Sequence, residues 1–191
     1  MPENKSEKSH VHPQNLEKAT FAGGCFWCMQ AVFDKARGVL STTVGYAGGH
    51  KENPAYDEVC SGKTGHAEAI EILYDPSQTT YEELLDIFWK NIEPTMLNRQ
   101  FVDFGTQYRT VIFYHNEEQK RLAEASKAKL EKSGKFYKPI VTEILPVPIF
   151  YKAEEYHQHY YKKNPIRYEF YEAHSDRSQY LKTIWSSDAK K

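Results

Sequence analysis

The sequence predicts an α+β protein: a mixed sheet with packed helices and long active-site loops. Three observations carry that class. Apolar stretches of strand character alternate with helical patterns, but the connections are too irregular for a doubly wound sheet. Two connections, residues 50–65 and 93–106, are long and polar, as loops that carry chemistry tend to be. The chain has 191 residues, enough for one domain with a sizeable core and little room for two.

Each element follows from a local signal. Residues 1–15, MPENKSEKSHVHPQN, are polar, carry two prolines and lack the apolar centre of a secretory signal, so they read as a disordered tail. A strand-like stretch at 18–22 runs into Gly23-Gly24, and a short helix is predicted over 25–35, with Gly38 just beyond it. Residues 39–46 alternate as a strand, and 50–65, rich in Gly, Pro, Asn, Asp and Ser, read as an ordered loop. The strand predicted at 66–74 is closed by Asp75-Pro76. Thr80 and Glu83 form a capping box, and Tyr81, Leu84, Leu85 and Phe88 recur at helical spacing. Residues 109–114 are apolar on both faces from Val111 to Phe113, which predicts a strand inside the sheet. Asn116 and Gln119 repeat the capping pattern for a helix that Gly134 ends. A strand at 141–145 stops at Pro146, and a helix is predicted over 152–162. Residues 175–191 read as a weakly structured polar tail, leaving 16–174 as a single catalytic domain.

Composition narrows the function. Lys and Arg number 25 against 26 Asp and Glu, a net charge of −1, which speaks against a nucleic-acid binder. No run approaches the roughly 18 apolar residues of a membrane span. Three cysteines make no disulfide framework; they fit a reducing, cytoplasmic setting with thiols used for chemistry or packing. The 14 tyrosines suggest hydrogen-bonded pocket walls, or simply an aromatic core.

The chemical candidates begin with GGCFWCMQ at residues 23–30. Cys25 follows two glycines at a predicted helix start, where unpaired N–H groups and the helix dipole favour thiolate. The competing reading is a packed structural cysteine. Cys28 completes a Cys-x-x-Cys that serves either as a resolving thiol or as filler. A zinc site lacks a second ligand pair, because only Cys60 remains and His157 and His159 point differently on a helix; no metal is expected. In HAEAIEILY, Glu68 shares a strand face with Ile70, Ile72 and Tyr74. A carboxyl facing the core is desolvated and becomes a candidate general acid, although a solvated rim position fits the same parity. Tyr56, Asp103 and Tyr108 lie in or beside the two long loops, and a buried tyrosine hydroxyl can donate to a developing oxyanion.

Together these segments resemble the A-type peptide methionine sulfoxide reductases. The resemblance rests on GCFW at 24–27, GYAGG at 45–49, YDEVCSG at 56–62, GHAEA at 65–69, NRQ…D…GTQYR at 98–109 and AEEYHQHYYKKNP at 153–165. It covers residues 18–165 with the motifs in family order. It implies a ferredoxin-like core and reduction of methionine S-sulfoxide, free or in proteins, by a peptide-methionine (S)-S-oxide reductase. By the same resemblance Cys25 is the nucleophile and Glu68 the proton donor. Tyr56 and Tyr108 bond the sulfoxide oxygen, Phe26 and Trp27 hold the methyl group, and Asp103 helps fix the substrate. No metal or organic cofactor is implied. The Cys25 sulfenic acid left by the reaction condenses with a second thiol, and thioredoxin or a similar donor reduces the disulfide.

The chain departs from the family in one respect. Many members carry recycling cysteines near the C-terminus, whereas here the corresponding NPIRYEFYEAHSDRS has none. Regeneration then falls to Cys28, to Cys60, or to an external thiol such as glutathione with glutaredoxin. Cys28 is favoured by spacing, but its sulfur must turn toward Cys25, and a regular helix would hold it away. Two other functions compete: a thioredoxin-like disulfide exchanger using Cys25 and Cys28, and a non-catalytic aromatic pocket for methionine-containing peptides.

Overall fold

The computed structural model describes residues 15–186. Its centre is a βαββαβ unit. Strand β1 (Glu17–Gly23) leads into helix α1 (Phe26–Phe33), then β2 (Val39–Ala47), β3 (Ala67–Tyr74), helix α3 (Tyr81–Trp89) and β6 (Thr110–Tyr114). A short helix α2 (Tyr56–Cys60) interrupts the β2–β3 connection, and a two-stranded hairpin, β4 (Arg99–Gln100) and β5 (Asp103–Phe104), interrupts the run to β6. Helix α4 (Glu117–Lys132), β7 (Glu143–Pro146), β8 (Tyr151–Lys152) and helices α5 (Tyr160–Lys163), α6 (Pro165–His174) and α7 (Arg177–Trp185) complete the described chain.

The sheet order is β7-β6-β1-β3-β2-β8. Every pairing is antiparallel except that of β6 with β7. The inner four, β6-β1-β3-β2, have the order and directions of a ferredoxin-like sheet. β6 lies inside the sheet, as its apolar faces predict. Both predicted caps form: the Thr80 hydroxyl accepts the Glu83 N–H at 3.1 Å, and the Asn116 side chain accepts the Gln119 N–H at 2.8 Å. The two faces of the sheet are built differently. One carries the main core, where Phe21 stacks on Phe33, Tyr81 and Phe88. The other is lined by Ala22, Ala47, Ala67 and Ala69, small enough to let Val147 and Phe150 close over it.

Three expectations are corrected. The 50–65 connection is not all loop, because α2 starts where Glu58 accepts the Ala55 N–H at 2.9 Å and Glu154 accepts the Tyr56 N–H at 2.9 Å. Residues 152–162 are not one helix. The edge of β2 claims this segment: Tyr151 and Lys152 pair with it, and the Gln158 side chain bonds both the N–H and the carbonyl of Val44. Helical geometry returns only at Tyr160–Lys163. The stretch after Ser175 is not a loose tail as far as it is described: α7 is a nine-residue helix whose Arg177 is buried and whose Trp185 packs on the main core. Residues 1–14 and 187–191, within the two predicted tails, lie outside the described residues.

Candidate active site

The turn from β1 into α1 places the first sulfur. Gly24 has φ +81°, and a Cβ there would lie 2.5 Å from Gln100 Cβ, so the turn needs glycine twice over. Cys25 is the residue before the helix, with φ −52° and ψ 116°; its carbonyl accepts the N–H groups of Cys28 and Met29. Because Cys25 stands outside the helical turn, the Cys28 thiol comes within hydrogen-bonding reach of it. Both are buried, Cys25 at 6% exposure and Cys28 at 2%.

Burial decides the ionisation of the pair. It pushes the Cys25 thiol well above its ordinary 9.0, helped by the hydrogen bond to Cys28 and by the charges of Cys28, Glu68 and Asp103. The thiolate expected at Cys25 from the helix start is therefore opposed by burial, which favours the neutral thiol. Cys28 moves the other way, to about 7. The hydrogen bond from Cys25 lowers it against burial, and the Arg177 charge and the Tyr168 hydroxyl lower it further.

Glu68 projects from β3 toward the main core, as strand parity requires, and is 2% exposed. The Phe26 N–H donates to its Oε2 at 3.0 Å. Burial raises it to about 8 against that hydrogen bond, with the charges of Asp103 and Cys28 adding to the rise. Of the two readings of this residue, the buried acid holds and the solvated rim position does not.

The remaining groups converge from separate elements. Tyr56 begins α2, and its hydroxyl hydrogen-bonds to Cys60 one turn on. Tyr108 ends the 3-10 turn Thr106–Tyr108, which follows Gly105. Burial raises both hydroxyls far above the ordinary tyrosine value, so both remain O–H donors at neutral pH. Trp27 stacks on Tyr160 with centroids 3.9 Å apart, and its Nε1–H donates to His157 Nδ1 at 3.1 Å. Asp103 in β5 is raised by burial, while the hydrogen bond donated by the Tyr171 hydroxyl and the Arg177 charge oppose the rise.

A cavity of about 120 Å³ is lined by Cys25, Phe26, Trp27, Tyr56, Glu68, Asp103, Tyr108 and Tyr171. All of these but Tyr171 are residues singled out in the sequence. Cys28 does not line the cavity. Cys60 is occupied with Tyr56. Tyr171, Tyr168, Arg177 and His157 are additions that sequence reasoning does not assign to the site; the aromatic run YEFY at 168–171 is the one available signal. Among the described residues, no group of three His, Cys, Asp or Glu side chains could hold a metal ion, and no helix is long and apolar enough to cross a membrane.

Buried thiols, a buried carboxyl group and tyrosine hydroxyls gathered around one cavity mark a thiol-dependent oxidoreductase. Comparison with known proteins fixes the family. The family model described as "Peptide methionine sulfoxide reductase" matches residues 17–189, and the chain belongs to that family. It is 55% identical over 172 residues to the peptide methionine sulfoxide reductase MsrA of Listeria monocytogenes serotype 4a, covering 90% of this chain and 97% of the relative. The crystal structure of Mxr1 from Saccharomyces cerevisiae in reduced form superposes with a TM-score of 0.74 at 36% identity, covering 82% of this chain and 90% of that one. Mxr1 in complex with Trx2 matches with a TM-score of 0.53 at 28% identity, over 81% and 91% of the two chains.

Proposed function

We propose that this methionine sulfoxide reductase acts on the S epimer, free or in polypeptides, with Cys25 as nucleophile and Glu68 as proton donor. The observation that carries the assignment is the buried Glu68 carboxyl at the wall of the Cys25 cavity, where burial favours its protonated form. A sulfoxide sulfur is electrophilic only once its oxygen is protonated or strongly hydrogen-bonded. Glu68 gives its proton to that oxygen while Tyr56 and Tyr108 hold it. The Cys25 sulfur attacks the methionine sulfur, the S–O bond breaks, and the oxygen leaves as water with the Glu68 and Cys25 thiol protons. Water then adds to the Cys25 sulfur, the transient S–S bond breaks to release methionine, and the proton given up by that water restores Glu68. Methionine sulfur is reduced by two electrons and Cys25 sulfur, now the sulfenic acid, is oxidised by two. Phe26 and Trp27 seat the methyl group, and Asp103, held by Tyr171, fixes the substrate.

Cys28 is the resolving thiol in this reading. It condenses with the sulfenic acid to a Cys25–Cys28 disulfide and water, and thioredoxin exchanges with that disulfide. The yeast complex of Mxr1 with Trx2 supports such a donor. The chemistry draws on thiols alone, with no organic cofactor. All three cysteines are free, which suits the reducing cytoplasm.

Incubation with dithiothreitol and each sulfoxide epimer tests the activity: conversion of the S epimer alone is expected. A disulfide exchanger would be indifferent to Glu68, and a peptide-binding module would release no methionine. Mass spectrometry after one turnover without reductant tests the resolving step. A Cys25–Cys28 disulfide is expected; a persistent sulfenic acid or a Cys25–Cys60 link would remove Cys28 from the mechanism.

A further inference from the structure

Attack of Cys25 on the sulfoxide leaves one buried cation without a use. Arg177, the first residue of α7, is 5% exposed. Its guanidinium donates to the carbonyls of Asn91 and Gly23 and to Met29 Sδ, and lies 5.0 Å from the Phe101 ring centre. It makes no ion pair with a carboxylate among the described residues. Its charge reaches Asp103 without a direct ion pair, and a buried guanidinium that no carboxylate contacts gains from any further anion that forms nearby. Gly23 and Met29 bracket the Cys25–Cys28 turn, so this cation is held at both ends of it, by the Gly23 carbonyl and the Met29 side-chain sulfur. In α6, burial and the Cys28 charge beside it raise the Tyr168 hydroxyl, which stays an O–H donor.

We propose that Arg177, seconded by Tyr168, is a positioning residue for the second half of the reaction: seated against Gly23 and Met29 beside Cys28, it stabilises the negative charge with which that sulfur attacks the Cys25 sulfenic acid. This rests on Cys28 being the resolving thiol. The groups acting on Cys28 come from every side: Cys25 from the turn, Glu68 from β3, Asp103 from β5, Tyr168 and Tyr171 from α6, and Arg177 from α7. The Asp103 charge opposes a negative sulfur, Glu68 is held neutral by burial, and the cation among these groups is Arg177. In the step itself, the Cys28 thiolate forms the S–S bond to Cys25 and the Cys25 S–O bond breaks. The departing hydroxide takes the Glu68 proton and leaves as water. Charge passes from Cys28 to Glu68, with no outside oxidant or reductant.

The test is single-turnover kinetics of the full chain with methionine S-sulfoxide and no reductant, from about pH 5.5 to about pH 9, a range that spans thiol ionisation. Released methionine is followed by chromatography, and the Cys25–Cys28 disulfide by alkylation and mass spectrometry. Arg177→Met is expected to raise the pH midpoint of disulfide formation by about one unit and to slow that step about fivefold at pH 7, following the loss of thiolate. Methionine release should slow much less. Arg177→Lys should restore most of the midpoint, and Tyr168→Phe, which removes only a hydroxyl, should shift it in the same direction by less. An unchanged midpoint in both Arg177→Met and Tyr168→Phe overturns the proposal, as does equal slowing of both steps. Should Arg177→Met fail to fold, Arg177→Gln, which removes the charge but keeps hydrogen-bond donors, and Tyr168→Phe carry the same decision. If the wild-type chain forms no Cys25–Cys28 disulfide, the resolving role itself fails; if it forms one indifferent to these variants, only the role of Arg177 and Tyr168 fails.

Discussion

Replacing Glu68 by glutamine separates its proton from its shape. The amide fills the same space as the carboxyl, and its carbonyl oxygen can still accept the Phe26 N–H, which Glu68 accepts at 3.0 Å. It cannot give a proton to the sulfoxide. General-acid catalysis contributes about 10²–10⁴ in rate, so methionine release in a single turnover should fall by that factor. The wild type should lose activity as pH rises through about 8, where Glu68 ionises, and the Glu68→Gln variant should lose that limb. The substitution should change stability in the opposite sense to activity. The folded chain holds the Glu68 proton up to about 8, whereas the unfolded chain releases it near 4.5. The raised group thus contributes stability that is complete below 4.5 and is lost as pH rises through about 8. At about 1.4 kcal/mol per pH unit, wild type gives up roughly 3 kcal/mol by pH 7 and roughly 5 kcal/mol above pH 8. A neutral amide carries no such term. Urea unfolding at about pH 4.5, 7 and 8.5 should show the variant gaining on wild type by these amounts, a stability–activity trade-off. A variant within about tenfold of wild-type methionine release, or one whose stability tracks wild type across this range, would refute the buried-acid reasoning.

Gly24→Ala should destabilise the fold by about 1–3 kcal/mol, because φ +81° and the Gln100 contact at 2.5 Å act together, and urea unfolding measures it. Asp34 accepts hydrogen bonds from Thr42, His159, Tyr161 and Lys162, pinning the segment before α6 onto the end of α1. Burial would raise its pKa, but these bonds together hold it below the ordinary 3.8. Their stabilisation is therefore present above pH 3.8 and lost as pH falls through the lowered value. Asp34→Asn should cost about 1.5–3 kcal/mol at pH 7 and progressively less in acid, read by unfolding at each pH. Tyr171→Phe removes the hydroxyl that donates to Asp103 and should raise KM more than it lowers kcat in steady-state assays with dithiothreitol.

How much of the site is legible in the sequence depends on how local each signal is. Strand parity places Glu68 and needs only its neighbours in β3; a glycine turn adjacent in sequence places Cys25. The ionisation of Cys25 is misjudged from sequence because the dipole is a local property and desolvation is a tertiary one. The helical pattern at 152–162 gives way because β2 offers Val44 as a partner for the Gln158 side chain, and no window of sequence contains that competition. The last helix is the instructive case. Tyr180, Leu181, Ile184 and Trp185 have the spacing of an amphipathic helix, but the surrounding polar composition masks it. Arg177 is beyond reach for another reason. A lone arginine near a chain end is ordinarily a solvated charge, and it becomes a site residue only because carbonyls 86 and 154 residues away fix its guanidinium. A missing C-terminal cysteine is visible in the sequence. The cation and hydroxyl that the same C-terminal region brings to Cys28 emerge only when α6 and α7 are folded against the Cys25–Cys28 turn.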